Sequence, residues 1–470
     1  MSLFVLASVA VTTRAKADEP IAATEPRLLD ETAEVTAVAD AFDRDNPFDL
    51  HIYAAFIQRW KRADIHRETS LNQPGLSSGG FVANTENVAR FSEDTSILDV
   101  GADIGLFRDL ALVIRMPIVL SDSRMLGDLD GSSKNPQRLQ DPTGAALFNV
   151  PFQSPTRSGL DYLAVGLDWA PSNQQRDRTK PTWVIGVEGR FPIGDPLHAC
   201  NAAASGCPVP SDHSQLSRKP GVSRAMWGAD VKTIISKRYG YVEPYTGFEA
   251  LFEVPRSDSD MGTAVNPSDI KGELVSLPPI VGTFTLGMEW IPWERREAFQ
   301  RLVFDVRVQG IYNSPGREYS ELFDALGSSN APTLTQANAG GYTAGPSGGS
   351  VRDTTAPPVF FTGITDQAAY GAFAAQLNVV WQAGEYVKFG VGGGVRFNQS
   401  HSITAADPCN PGYTATVATA GPCTVSNNGT TTVTGIPDPN YRAIIDTPGR
   451  RFSVDNTVIG NFNVSATLMF

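Results

Sequence analysis

Three segments of alternating polarity in this chain carry an acid and a base two residues apart on their polar face: Glu188 with Arg190, Asp230 with Lys232, and Asp305 with Arg307. Residues i and i+2 of a β-strand share a face, so each pair sets an acid beside a base on one side of a sheet. Charges withdrawn from bulk water are costly unless paired. The pairs therefore brace an interior as a salt-bridged wall, or they line a polar conduit for a small solute. By the same alternation Asp49, His51, Arg59, Asp99, Asp103, Arg115, Asp168, Glu249, Glu289, Lys388 and Arg396 are candidates for that interior face.

The remaining reactive residues point to no catalysis. His401 and Ser402 would supply a base and a nucleophile for an acyl hydrolase, but adjacent strand residues point to opposite faces. Asp128-Leu129-Asp130-Gly131 is a fragment of a calcium loop without its other ligands and reads as a turn. The four cysteines form two local pairs, Cys200 with Cys207 and Cys409 with Cys423, which in an exported protein read as disulfides closing small loops. A zinc site is the sharper alternative, but neither a Cys-x-x-Cys spacing nor a His-rich segment accompanies them. No enzyme, cofactor or metal is expected. The net charge of -12 argues against nucleic acid, whose phosphates require a basic footprint.

The elements that must position these charges are strands. From Phe452 to Phe470, Phe452, Val454, Val458, Phe462, Val464, Ala466, Leu468 and Phe470 share one parity, and polar residues such as Ser453, Asn461 and Asn463 occupy the other. Eleven earlier segments repeat the pattern. Among them, Leu110, Leu112, Ile114 and Met116 oppose Arg115; Trp183, Ile185 and Val187 oppose Glu188 and Arg190; Leu302, Phe304, Val306 and Val308 oppose Asp305 and Arg307. Strands that are apolar on one face and polar on the other, with no run of about 18 apolar residues, predict an all-β fold, a transmembrane antiparallel up-and-down barrel of about 12 strands. Pro117 and Pro244 fit poorly inside paired strands and predict bulges.

Connection lengths alternate. Short links fall at 108–109, 171–180, 238–240, 294–300 and 383–385; long ones at 62–94, 122–160, 192–223, 255–279, 314–369 and 399–450. This is the rule of short periplasmic turns and long outer loops, which puts both cysteine pairs outside. Trp60 and Trp227 fall near the outer strand ends, and Trp169, Trp183, Trp290, Trp293 and Trp381 near the inner ends, as two aromatic girdles. A soluble sandwich would explain the alternation but neither the loop asymmetry nor the tryptophans.

Residues 3–11 are apolar and Ala15-Lys16-Ala17 precedes Asp18, so residues 1–17 read as a signal peptide. Residues 18–46 form an acidic leader that either hangs in the periplasm, the blander reading, or plugs the lumen; residues 47–470 form the barrel. The expected location is the bacterial outer membrane, with outer-membrane lipid as a partner and Phe470 as the signal to the barrel-insertion machinery. Inward glycines such as Gly101, Gly166 and Gly287 leave room for a narrow channel, and a closed surface-interaction barrel is the alternative.

The runs SGLDYLAVGLDWAP and TWVIGVEGRFPIGD, and the later VKTIISKRYGYVEPYTGFEALF, resemble the outer-membrane barrels grouped with the meta-pathway of phenol degradation. The resemblance spans roughly strands two to nine and implies uptake of small compounds, aromatic ones in particular. The inward face itself offers only Tyr53, Tyr162 and Tyr245 as aromatic groups.

Overall fold

The computed structural model describes residues 33–43, 46–74, 81–129, 139–141, 144–204, 206–209, 212–261, 275, 277–335, 343–344, 350–351, 361–407, 409–410, 423–427, 429–433, 436–438 and 440–470. Residues 1–32, including the expected signal peptide, lie outside them, as do Asp130 and Gly131.

Twelve strands build the barrel: β1 (Leu50–Pro74), β2 (Phe81–Phe107), β3 (Leu110–Gly127), β4 (Tyr162–Ser172), β5 (Thr182–Pro192), β6 (Met226–Ser236), β7 (Val242–Pro255), β8 (Val281–Arg295), β9 (Gln300–Asn313), β10 (Tyr370–Gly384), β11 (Val387–Asn398) and β12 (Phe452–Met469). Each pairs antiparallel with its sequence neighbours, and β12 also pairs with β1, which closes the cylinder and leaves no open edge. Closure satisfies the backbone within the wall, which a strand needs to cross a membrane.

The outer face is apolar and bare. Leu286, Met288, Val306, Leu377, Phe389 and Phe462, drawn from five strands, are each 42–51% exposed. An uninterrupted apolar belt of this kind is stable only against hydrocarbon. All seven tryptophans are exposed on it.

Length separates the two ends of the barrel. At one end the turns are short, as between Phe107 and Leu110 or between Gly384 and Val387; at the other they are long. The segment 62–94, expected as a loop, is instead mostly strand, with β1 and β2 staying paired from Leu50↔Ile104 to Pro74↔Phe81. Alternation persists there with reversed polarity. Ala63, Ile65, Ala89 and Phe91 are buried on the lumen side of this extension, so an apolar-outward pattern cannot register it as strand.

The reversal reaches β12, where the structure corrects the sequence reading. Phe452 and Val454 were expected on the lipid face with Val458, but both are fully buried on the inside. Register with β1 jumps from Asp455↔Asp64 to Val458↔Arg62, and Asn456 adopts a left-handed φ of 49°. That is a bulge, and one inserted residue moves every side chain beyond it to the other face. A similar bulge at Leu120, between Val119↔Ile97 and Ser121↔Ser96, turns Asp122, Arg124 and Leu126 inward on β3.

Of the two prolines, Pro117 lies where the pairing of β3 skips from Arg115↔Ala164 to Ile118↔Leu160. Pro244 pairs in register with Met288, just beyond the last β6–β7 pair, Ser236↔Tyr245. The bulge expected at Pro244 is absent, because at a strand end the missing N–H has no ladder partner to lose.

Over the long-loop end the inward residues Ala63, Ile65, Ala89, Phe91, Leu126, Phe452 and Val454 pack with Leu147, Phe148, Leu322, Leu326, Leu334 and Ile445 from the loops into one apolar core. The loops are also tied together by charge and by a disulfide. Arg157, without exposed side-chain surface, pairs with Asp324 at 2.5 Å, and Asp324 accepts the backbone N–H of Cys200 at 3.0 Å. Cys200 is disulfide-bonded to Cys207. The backbones of Cys409 and Cys423 lie on two separate ribbons, and their side chains fall outside the described residues.

Candidate functional site

The lumen brings the sequence-predicted charges together as a belt across strands. Arg115 on β3 pairs with Glu188 on β5 at 2.9 Å, Glu188 accepts from Arg190 at 3.0 Å, and Arg190 reaches Asp230 on β6 at 2.5 Å. Lys232 turns away from Asp230 and meets Asp168 on β4 at 2.8 Å. Arg307 and Asp305 pair within β9 at 3.3 Å, and Asp305 also accepts from the Tyr245 hydroxyl at 2.6 Å and the Asn378 amide at 2.9 Å. Two of the three i, i+2 pairs thus contact directly, while Asp230 finds its partner on the neighbouring β5 and Lys232 reaches across β5 to β4. Register sets Lys232, Gly186 and Asp168 in one row, and Gly186 has no side chain to block the contact; Asp230 stands opposite Glu188 and takes Arg190, two residues along.

The other candidates divide. His51, opposite Asp103, and Asp99 face the lumen without an ion pair among the described residues. Arg59 comes only within 3.9 Å of Glu93, and Arg396 donates to Asn398 at 2.8 Å. Asp49, just before β1, accepts from the backbone N–H of Asp40 at 3.3 Å.

The inward glycines do not widen the lumen in the way expected. A side-chain carbon at Gly101 would collide with the Tyr53 ring, and one at Gly287 with the Tyr245 ring. These glycines let long side chains lie flat against the wall. Space is gained along the axis, since the aromatic groups do not project across it.

At the short-turn end the lumen is occupied by the leader. The N–H of Ala33 donates to Glu243 at 2.8 Å, the N–H of Glu34 donates to Glu289 at 2.7 Å, and the Thr36 hydroxyl meets Ser236 at 2.8 Å. The Glu34 carboxylate bridges Arg301 on β9 at 2.7 Å and Lys388 on β11 at 3.0 Å. Burial opposes its charge, but Lys388 and then Arg301 outweigh burial and hold the carboxyl down at about 2. Residues 33–43 are therefore bound to the wall, and the rest of the 18–46 leader is beyond the described residues apart from 46. At the other end Glu321, from the loop after β9, pairs with Lys61 at 2.7 Å. Burial again opposes the charge, and Lys61 overrides it to lower the carboxyl below its ordinary range.

Sequence reasoning missed Glu34, Glu321 and the Arg157–Asp324 pair. Their partners lie more than 100 residues away, so no spacing could reveal them. His401 faces inward opposite Val454, stacked on Tyr370 with ring centroids 3.8 Å apart, while Ser402 pairs with Ser453 on the opposite parity. Base and hydroxyl do not converge there. Asp128 accepts the N–H of Leu129 at 2.7 Å, the local bond of a turn.

No family model and no curated protein matches this chain. Among solved structures it is similar to the COG4313 outer membrane channel from Pseudomonas putida F1, at 9% identity and a TM-score of 0.35, over 89% of this chain and 95% of that one. A Pseudomonas aeruginosa FadL homologue aligns at 9% identity and a TM-score of 0.31, covering 90% of each chain. The outer membrane protease OmpT from Escherichia coli aligns at 8% identity and a TM-score of 0.25, over 90% of this chain and 96% of that one.

Proposed function

We propose that this protein is a bacterial outer-membrane barrel that passes small solutes through a narrow, charged lumen, with its short turns and both termini toward the periplasm. The observation that carries this reading is the state of the mid-barrel charges. The side chains of Arg59, Lys232 and Arg115 face inward yet remain 45%, 36% and 30% exposed. A side-chain-filled barrel would bury them, so they border solvent-accessible space between two covers, the leader at one end and the loop core at the other. Twelve strands lie between the filled eight-stranded barrels and the water-filled sixteen- to eighteen-stranded ones. Passage accordingly requires a cover to move.

Aromatic compounds, which the sequence resemblance implied, are the solutes to try first; Tyr53, Tyr162 and Tyr245 lie along this path. A second reading is favoured by the loop core itself: a surface-interaction barrel whose lumen stays shut and whose loops contact other molecules. Planar-bilayer recording decides between them. The pore reading expects conductance from refolded protein and an increase after deletion of residues 18–45. Silence from both forms would leave the closed barrel.

A further inference from the structure

The inward face of four consecutive strands, β10, β11, β12 and β1, carries no Asp or Glu across the membrane-spanning stretch, Gln376–Gln382, Lys388–Arg396, Ile459–Met469 and His51–Lys61. It carries Arg59, Lys61, Lys388 and Arg396, separated by the amides of Gln376, Asn378, Asn461 and Asn463. The inward strand acids, among them Asp99, Asp103, Asp168, Glu188, Asp230 and Asp305, all stand on the remaining strands, so the lumen is polarised, with one acid-free sector facing a wall that carries both signs.

Two of the four cations already show what this sector binds. Lys388 is held by Glu34 at 3.0 Å and Lys61 by Glu321 at 2.7 Å. Neither carboxylate comes from a barrel strand; one belongs to the leader and one to a loop. The other two cations have no such ligand. Arg396 donates to the neutral Asn398 and has no carboxylate within 4.0 Å among the described residues. Arg59 comes only within 3.9 Å of Glu93, which already pairs with Arg124 at 3.4 Å.

Arg59 and Arg396 flank β12 from either side, Arg59 in register with Asn461 and Arg396 with Ile459. Their backbones are thus about two strand spacings apart, roughly 10 Å. Gly392 and Gly394, the two inward residues of β11 before Arg396, put no side chain between the cations and the lumen.

We infer that Arg59 and Arg396 form a binding site for the carboxylate of a small organic acid on its way through the lumen. A guanidinium presents planar paired donors that match a carboxylate, and the bond strengthens where water is restricted. No acid of the sector competes for the arginines, the one carboxylate in reach among the described residues being Glu93 of β2 at 3.9 Å from Arg59, and the bordering amides can bond the rest of a polar solute. The inference rests on the reading of the lumen as a solute path, but binding is measurable without conduction.

The test is titration of refolded full-length protein in detergent with benzoate and with its neutral counterpart benzyl alcohol, for the wild type and for Arg59→Gln/Arg396→Gln. Benzoate should bind the wild type, bind the double variant about tenfold or more weakly, and outbind benzyl alcohol only when the arginines are present. Folding of the variant is checked by its heat-dependent gel mobility. If it does not refold, Arg59→Lys/Arg396→Lys, which keeps charge and loses the planar fork, should show an intermediate affinity. Equal affinity of wild type and variant for benzoate, no preference for benzoate over benzyl alcohol, or stronger competition by inorganic phosphate than by benzoate each overturns the carboxylate site. Arginine-dependent benzoate binding in a protein that never conducts would sustain the site and sink the pore.

Discussion

Removing one carboxylate should release the leader. Glu34→Gln keeps the shape of the side chain but deletes the charge that joins Arg301 to Lys388. A carboxyl held at about 2 in place of 4.5 is worth about 3 kcal/mol to the docked state. The side chain is 23% exposed, and screening reduces this to about 2 kcal/mol, roughly thirtyfold in the docking equilibrium. The variant also takes the Glu34 charge from Arg301, which is 1% exposed, a cost in the same direction. The pH dependence has a definite sign. A group depressed in the docked state stabilises fully above its undocked value, so docking should hold at neutral pH and weaken only as pH falls from 4.5 toward 2. The amides of Ala33 and Glu34, which donate to Glu243 and Glu289, report docking through hydrogen-exchange protection. Unchanged protection in Glu34→Gln, or protection lost between about pH 7 and pH 5 in the wild type, would refute the latch.

Three further outcomes follow from the wall and the loops. Val306, 50% exposed on the apolar belt, should not tolerate arginine: Val306→Arg should destabilise insertion by about 2 to 4 kcal/mol in denaturant titrations from bilayers, while Arg307→Ala leaves assembly intact, and equal tolerance would mean the faces are misassigned. Deleting Asn456 should shift Phe452 and Val454 out of the loop core, at a cost of about 1.5 to 3 kcal/mol for each buried side chain, seen as faster proteolysis of the loops in intact vesicles. After reduction, Cys200 and Cys207 should react with a membrane-impermeant maleimide on intact cells, and labelling only after permeabilisation would invert the proposed topology.

How much of this protein its sequence determines depends on the range of the interaction. Period-two alternation is local, so strand number, the outward belt and the set of inward charges were legible from residues such as Val306 and Arg307. The rule held only while the surroundings kept one polarity. Beyond the membrane the lumen side becomes a loop core, and there Ala63, Ile65, Phe91, Phe452 and Val454 reverse the pattern, two of them across a single bulge residue that leaves no mark in hydropathy. Which charge meets which was decided by register: Lys232 takes Asp168 on another strand, though Asp230 stands two residues away in sequence. The covers were decided by tertiary structure alone, since Glu34 and Glu321 find Lys388 and Lys61 over separations that no local spacing encodes, and only closure of the barrel brings the last strand against the first.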